Sequence, residues 1–410
     1  MTETYKILGQ VAPSGTTEQN LYTSPANTQA LITNITVVNR TGSSQTFDIS
    51  VANAPYSSLF SKYVAISSEL SSSSTDGITW VSGSPPGAYF SAVAYGNGVF
   101  VAVSNYDKDY NASTIAAYST NGNTWTPAVL PAAVTWSSVA YGNSTFVAVA
   151  PYTTAAASST NGITWTLRTL PLNRAWNSLT YVNNIFYALA SRESANVPTT
   201  TTAASSTDGI TWTTRTMPVA GKWRAISFGN STYVAVAGGY NSPTTSAASS
   251  TDGITWTTRT MPRSIEWREI AYGNGVFLAL GYSQFWATST NGITWTERSG
   301  NGWNSYSSPS QLIYSDNIFI GVGSTGANAT STDGITWTAI TFPDYAQPSG
   351  IAYSNAAYTS PAVNNIYKNA TVQANSYQVL QPGIVLGAQN AIVVKGTANT
   401  TFSVYGMELS

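Results

Sequence analysis

Most of the chain is built from short runs of β-branched and aromatic residues, interrupted by Gly, Asn, Ser and Thr. In "GITWTLR" (162–168), Ile163, Trp165 and Leu167 alternate with Thr164, Thr166 and Arg168, the period of a strand with two unlike faces. No segment sustains a 3.6-residue apolar period, so no substantial helix is expected. Two phrases recur. One reads "SSTDGITW" at 205–212 and 249–256, and its seven variants end at Trp80, Trp125, Trp165, Trp212, Trp256, Trp295 and Trp337. The other has the form "VAYGNGVFVAV" (93–103), with copies at 139–149, 226–236 and 270–280 and weaker ones at 179–189, 312–322 and 351–358.

The Trp residues are spaced 45, 40, 47, 44, 39 and 42 residues apart, the mark of a repeat architecture. Each phrase reads as a hairpin, since Asp-Gly or Asn-Gly between strand-like flanks suits turns with positive φ at both central residues. Two hairpins per repeat make the four strands of a propeller blade. The first Trp phrase has no preceding "YGN" hairpin, and the last "YSN" hairpin has no following Trp phrase. Joined, they complete a blade. The expected fold is therefore all-β, with a seven-bladed β-propeller over residues 67–364 closed by its two ends. Residues 1–66 and 365–410 do not repeat. They read as strands too few for either flank to fold alone, but enough together for a discontinuous β-sandwich into which the propeller is inserted.

Charge changes the picture by exclusion. Charged residues make up 8% of the 410-residue chain and the net charge is −1, so there is no basic excess for nucleic acid. No apolar run is long enough for a membrane helix, and no polybasic stretch suits a membrane surface. The absence of Cys and His removes disulfides, thiol nucleophiles, His-based triads and the usual transition-metal sites. No cofactor or metal is expected. The start "MTETYKILGQ" lacks the basic and apolar blocks of a secretory leader, so synthesis in a cytoplasm is expected, with exit by lysis or a non-standard route if the protein works outside.

The recurring acidic position separates catalysis from scaffold. It is Asp at Asp76, Asp208, Asp252 and Asp333, but Asn at Asn121, Asn161 and Asn291. A general acid or metal-binding carboxylate does not survive exchange for an amide. An acceptor for backbone N–H groups in a turn does. The Thr and Trp of the phrase never change, which suits a structural turn with the Trp packed between neighbouring blades.

With these residues in view, "STDGITW" resembles a shortened Asp-box, the hairpin motif of sialidase-type propellers, where it is structural and joins the third and fourth strands of a blade. The flanks, from "YKILGQVAPSG" to "FDISVA" and from "NNIYKNATV" to "FSVYGMEL", resemble a small β-sandwich of virion structural proteins in tailed phages, notably cyanophages. That resemblance implies a virion surface location, with other virion proteins as partners of the sandwich and an oligomer on the particle.

No residue matches the sialidase catalytic set. Arg168, Arg215, Arg259 and Arg298 each follow the phrase Trp by three and are expected on outer strands facing solvent. The close acidic pairs, Asp107 with Asp109 and Glu266 with Glu269, read as solvated loop charge, and two oxygens at 107 and 109 are few for Ca²⁺. The expectation is a non-enzyme. Binding has more support, because the length-variable segments 104–114, 191–202, 238–246 and 299–311 should open on one face. Candidate contacts are the loop aromatics Tyr106, Tyr110, Tyr240, Tyr282, Trp303 and Tyr306, and a second Trp series, Trp136, Trp176, Trp223 and Trp267, that either stacks on sugars or packs the first strands. The leading expectation is a tail or fibre adhesin whose propeller contacts host-surface glycan or protein. The alternatives are a capsid or tail decoration protein without receptor binding and, last, a glycan-cleaving enzyme.

Overall fold

The structure is a computed structural model that describes residues 6–11, 19–23, 29–43, 45–52, 63–194, 196–239, 242–282, 285–300, 308–324, 328–343, 347–354 and 364–372, and shorter stretches between 375 and 409. The described residues hold no α-helix. The chain divides into two compact units, residues 60–355 and a discontinuous unit of 1–59 with 356–410. The boundary expected after residue 66 is corrected: Tyr63–Ile66 belongs to the repeat unit, because it pairs with Gly350–Tyr353.

The repeat unit is a β-propeller of four-stranded antiparallel sheets in chain order, six of them consecutive from Tyr89–Gly96 to Thr338–Ala339. A seventh sheet is assembled from both ends, in the order Gly350–Tyr353, Tyr63–Ile66, Ser71–Ser74, Val81–Gly83. The first strands of the seven sheets contact one another in a closed cycle, the strand Gly350–Tyr353 touching both Ser308–Ser315 and Tyr89–Gly96. Apolar side chains lie between sheets rather than within them. Trp136, Phe146 and Trp165 pack with Val101 and Ala116 of the preceding sheet, and Tyr63, Trp80 and Ile351 pack with Ile320, Ile340 and Phe342. Each phrase Trp occupies such a seam.

The two phrases form different turns. Asn97 and Gly98 both have positive φ (47° and 80°), as do Asn143 and Ser144, and these two-residue turns close hairpins such as Gly96 opposite Val99. The Trp phrase does not. Its Gly residues have φ between 68° and 76°, but the preceding Asp or Asn has negative φ, and residues 159–165 connect Ser158 to Thr166. The expectation of two positive-φ residues thus holds for "YGN" and fails for "DG". In the latter, side-chain hydrogen bonds replace the tight turn.

The discontinuous unit contains two antiparallel sheets. One holds Lys6–Val11, Gln29–Asn39, Tyr377–Leu380, Ile384–Leu386 and Thr400–Leu409; the other holds Gln19–Thr23, Gln45–Ala52, Asn364–Val372 and Ala391–Gly396. Each sheet draws strands from both ends of the chain. Phe47 and Ile49 of one and Ile35, Val37 and Phe402 of the other are buried, and Phe47 meets Phe402 edge-on at 6.0 Å.

Candidate functional site

The recurring Asp/Asn is a turn residue. Asp208 Oδ1 accepts from the N–H groups of Ile210 and Thr211 at 2.8 Å each and from the Ser206 hydroxyl at 2.8 Å. Asn161 Oδ1 accepts from Ile163, Thr164 and Ser159 at 2.9, 2.9 and 3.1 Å, and the same set recurs at Asp76, Asn121, Asp252, Asn291 and Asp333. Partial burial opposes ionisation of Asp208, but these donors outweigh it and hold the carboxyl down at about 2. The amide gives the same oxygen to the same donors, which explains the exchange.

The second Trp series is corrected as a binding set. Trp136, Trp176, Trp223 and Trp267 are fully buried, and each indole N–H donates to the carbonyl four residues earlier at 2.9 to 3.2 Å. No face remains for a sugar. The four recurrent Arg residues lie on outer, fourth strands as expected, but they are only half-exposed rather than facing solvent. Arg168, Arg215 and Arg259 donate through Nε to Ser158, Ser205 and Ser249, and Arg298 donates to Thr288, bridging the third and fourth strands.

Among the loop aromatics, Tyr240, Trp303 and Tyr306 lie outside the described residues. Tyr106 and Tyr110 come together. Tyr110 stacks on Tyr89 with ring centroids 4.5 Å apart and an interplanar angle of 27°, and Tyr106 lies 6.5 Å from Tyr110. Tyr110 is 68% exposed with φ +62°, a costly conformation for an aromatic residue. The turn imposes it: Tyr110 N donates to the Asp107 carbonyl, and Asp107 Oδ1 accepts from the N–H groups of Asp109 and Asn111 at 2.9 Å each. The Asn111 bond leads in holding the Asp107 carboxyl below its ordinary range, so that carboxylate already serves the loop. A hydrogen bond to Tyr110 pushes the Tyr89 hydroxyl up to about 12. The three tyrosines border a cavity of about 350 Å³ that also reaches Asn105 and Gln347.

A second cavity, of about 410 Å³, is lined by the first strands of six of the sheets and by Ser349 beside the seventh. Here the pair read as solvated loop charge is corrected. Glu266 and Glu269 flank and join the strand Trp267–Gly273, are partly buried, and stand among Lys222, Arg224 and Arg268. Arg268 pairs with Glu266 at 2.7 Å and lies 5.8 Å from the ring centre of Tyr282, while its Nε is buried without a partner. Glu269 keeps some surface toward the cavity, but protein encloses it. That desolvation pushes it up to about 8 against the pull of Arg224, Arg268 and the Leu312 N–H.

The repeat supplies a comparison within the chain. At the position after Phe90 or its Trp counterpart, Ser91 donates to the Trp136 carbonyl at 2.7 Å and Ser137 to the Trp176 carbonyl at 2.8 Å. Asn177 stands there in the next sheet, then Arg224 and Arg268 in two adjacent sheets. The stitching hydroxyl is replaced by a cation only at these two. The sequence carried that signal in "WSS", "WNS", "WRA" and "WRE", legible once the repeats are aligned on the second Trp.

No family model matches the chain, and no curated protein matches it. Solved structures do. Virginiamycin B lyase from Staphylococcus aureus superposes with a TM-score of 0.54 at 10% identity, over 75% of this chain and 94% of that one. A catalytically inactive variant of that lyase with quinupristin gives 0.53 at 10% identity over the same shares. YCF48 bound to D1 peptide gives 0.45 at 15% identity, over 76% of this chain and 90% of that one. At these identities the likeness is one of fold.

Proposed function

We propose that the chain is a non-enzymatic binding protein of a virion surface. The seven sheets are blades of one seven-bladed propeller, and the discontinuous unit is a β-sandwich that docks to other virion proteins. The propeller receives a host-surface glycan on the tyrosine platform. The observation that carries this reading is Tyr110, exposed and stacked on Tyr89 in a strained conformation that its turn enforces beside an open cavity. Strain held at an exposed aromatic residue fits a contact surface better than a fold requirement. Neutral hydroxyl and amide groups around aromatic faces suit sugars, and the low charge of the chain favours an uncharged partner surface.

Lyase activity does not carry over from the structural neighbour. Its inactive variant replaces a histidine by alanine, and this chain has no histidine. The adhesin reading is tested by saturation-transfer NMR with glycans released from host envelope. Wild type should show transfer, while Tyr110→Ala and Tyr106→Ala should lose it with unchanged melting temperature. Equal transfer to wild type and both variants would remove the platform from the reading. No transfer from any envelope glycan would favour the decoration role.

A further inference from the structure

The central cavity has a composition that the scaffold does not require. Between aliphatic residues such as Val139, Ile226 and Ile270, its uncharged polar lining is hydroxyl and amide, including Ser137, Asn177 and Gln311. Two cations, Arg224 and Arg268, line one side of it, with Lys222 near Arg224, in a chain whose net charge is −1. Two carboxylates accompany them, but both have structural partners. Glu266 holds Arg268, and Glu269 accepts from the Leu312 N–H of the next sheet. The latter bond has the geometry of the scaffold elsewhere. Ser138 Oγ accepts from the Leu179 N–H at 3.1 Å, and Gln311 Oε1 from the Ile351 N–H at 2.6 Å, at matching repeat positions.

Arg224 differs from all of these. It lines the cavity, is partly exposed, and its guanidinium makes no hydrogen bond among the described residues. Burial, then the neighbouring Arg268, pull it below the ordinary guanidinium range. Its fork of donors therefore has no protein acceptor and is free to receive one from a ligand in the cavity. The Nε of Arg268, beside it, is buried without a partner.

We infer that the central cavity is a binding site for a small oxyanion, a carboxylate or phosphate group received by Arg224 with Arg268 beside it, on a ligand whose hydroxyls meet the Ser, Asn and Gln wall. The site stands independently of the tyrosine platform. Arg offers two parallel N–H donors to such a group, a geometry that carboxylate and phosphate share. Glu269 adds the pH response. The charged groups acting on it are Arg224 from the preceding sheet and Arg268 from its own strand; from the following sheet it meets the Leu312 N–H. Below about pH 8 it is neutral and compatible with an anion, and above that it repels one.

The test titrates the full chain calorimetrically with glucuronate, inorganic phosphate and glucose, at pH 6.5 and pH 9.5. Saturable binding of glucuronate assigns a carboxylate ligand, saturable phosphate binding a phosphorylated one, and glucose should give no heat. Arg224→Gln should weaken the anion about tenfold or more. Glu269→Gln should keep the affinity seen at pH 6.5 and lose the weakening at pH 9.5, a signature that damaged folding would not produce. Failure of both anions to saturate at millimolar concentration overturns the inference. So does an unchanged affinity in a folded Arg224→Gln variant, or glucose binding as well as the anions.

Discussion

The hydroxyl of Ser349 donates to the carbonyl of Phe90 at 2.9 Å, the same bond that Ser91 makes to Trp136 and Ser137 makes to Trp176. Ser349 also donates to the Ile66 carbonyl at 3.1 Å, as Ser91 does to Val103 and Ser137 to Val149. The junction between the chain's two ends is therefore built with the same bonds as the junctions between consecutive repeats. Ser349→Ala and Ser91→Ala should cost the same, about 1–2 kcal/mol, by urea denaturation. A much larger loss for Ser349→Ala would mean that the closing seam carries more than its share.

Trp223 is packed on all sides and its indole N–H is satisfied by Val219. Trp223→Ala should destabilise by about 3–5 kcal/mol. Tyr110→Ala should leave stability nearly unchanged, because the ring is exposed and the Cβ that resists positive φ is kept. Thermal denaturation of the two variants separates core from surface aromatic residues.

Gly162 has φ +73°, and a Cβ there would overlap Val101 of the preceding sheet. Gly162→Ala should cost about 2–4 kcal/mol, from left-handed strain plus displaced packing. Gly98 has φ +80° with open space around its Cβ position. Gly98→Asn should cost under about 1 kcal/mol. Similar losses at both sites would show that backbone strain alone, and not the seam, decides.

The phrase carboxylates predict an acid limit. The folded pKa of Asp208, about 2, lies below the ordinary 3.8, so its contribution is present above about pH 4 and is lost as pH falls toward 2. Solvent screening limits it to about 1–2 kcal/mol. Asp208→Asn should match wild type near pH 7, since Asn161 makes the same bonds, and should lose less stability between pH 4 and 2. Glu269 acts in the opposite sense. Its folded pKa is raised from 4.5 to about 8, so its contribution is complete below pH 4.5 and is lost as pH rises to 8. Glu269→Gln should flatten the decline across that window in pH-dependent melting.

The repeat, the strand content and the pairing of chain ends were legible in the sequence because each rests on local rules: turn residues, alternation and spacing. The structural role of Asp208 and its counterparts was legible from the Asp-to-Asn exchange alone. Burial of Trp136 and its counterparts was not, because alternation gives two faces to a strand without saying which neighbour covers each. Glu269 was misread for a related reason. A bulge between Trp267 and Glu269 breaks the alternation there and lets both Arg268 and Glu269 line the cavity, whereas charge in a short "EWRE" run reads as surface until the strand is assigned. Ile163 and Leu167 are exposed although they alternate with Trp165, since the regular strand begins only at Thr166.

The sheet shared by the two ends also sets an order of events. The strand Tyr63–Ile66 leaves the ribosome early, and its hydrogen-bonding partner, Gly350–Tyr353, follows only after nearly the whole repeat region has been made. Through that interval one side of Tyr63–Ile66 is an unpaired edge, able to template a neighbouring nascent chain on the same message. The last contact to form spans the largest loop in the unit, so its closure entropy is met once, at the end, by a ring already six sheets long. Translation speed near the end of the repeats, and crowding of ribosomes on the transcript, thereby become determinants of yield for a protein in which Tyr63–Ile66 ends paired on both sides.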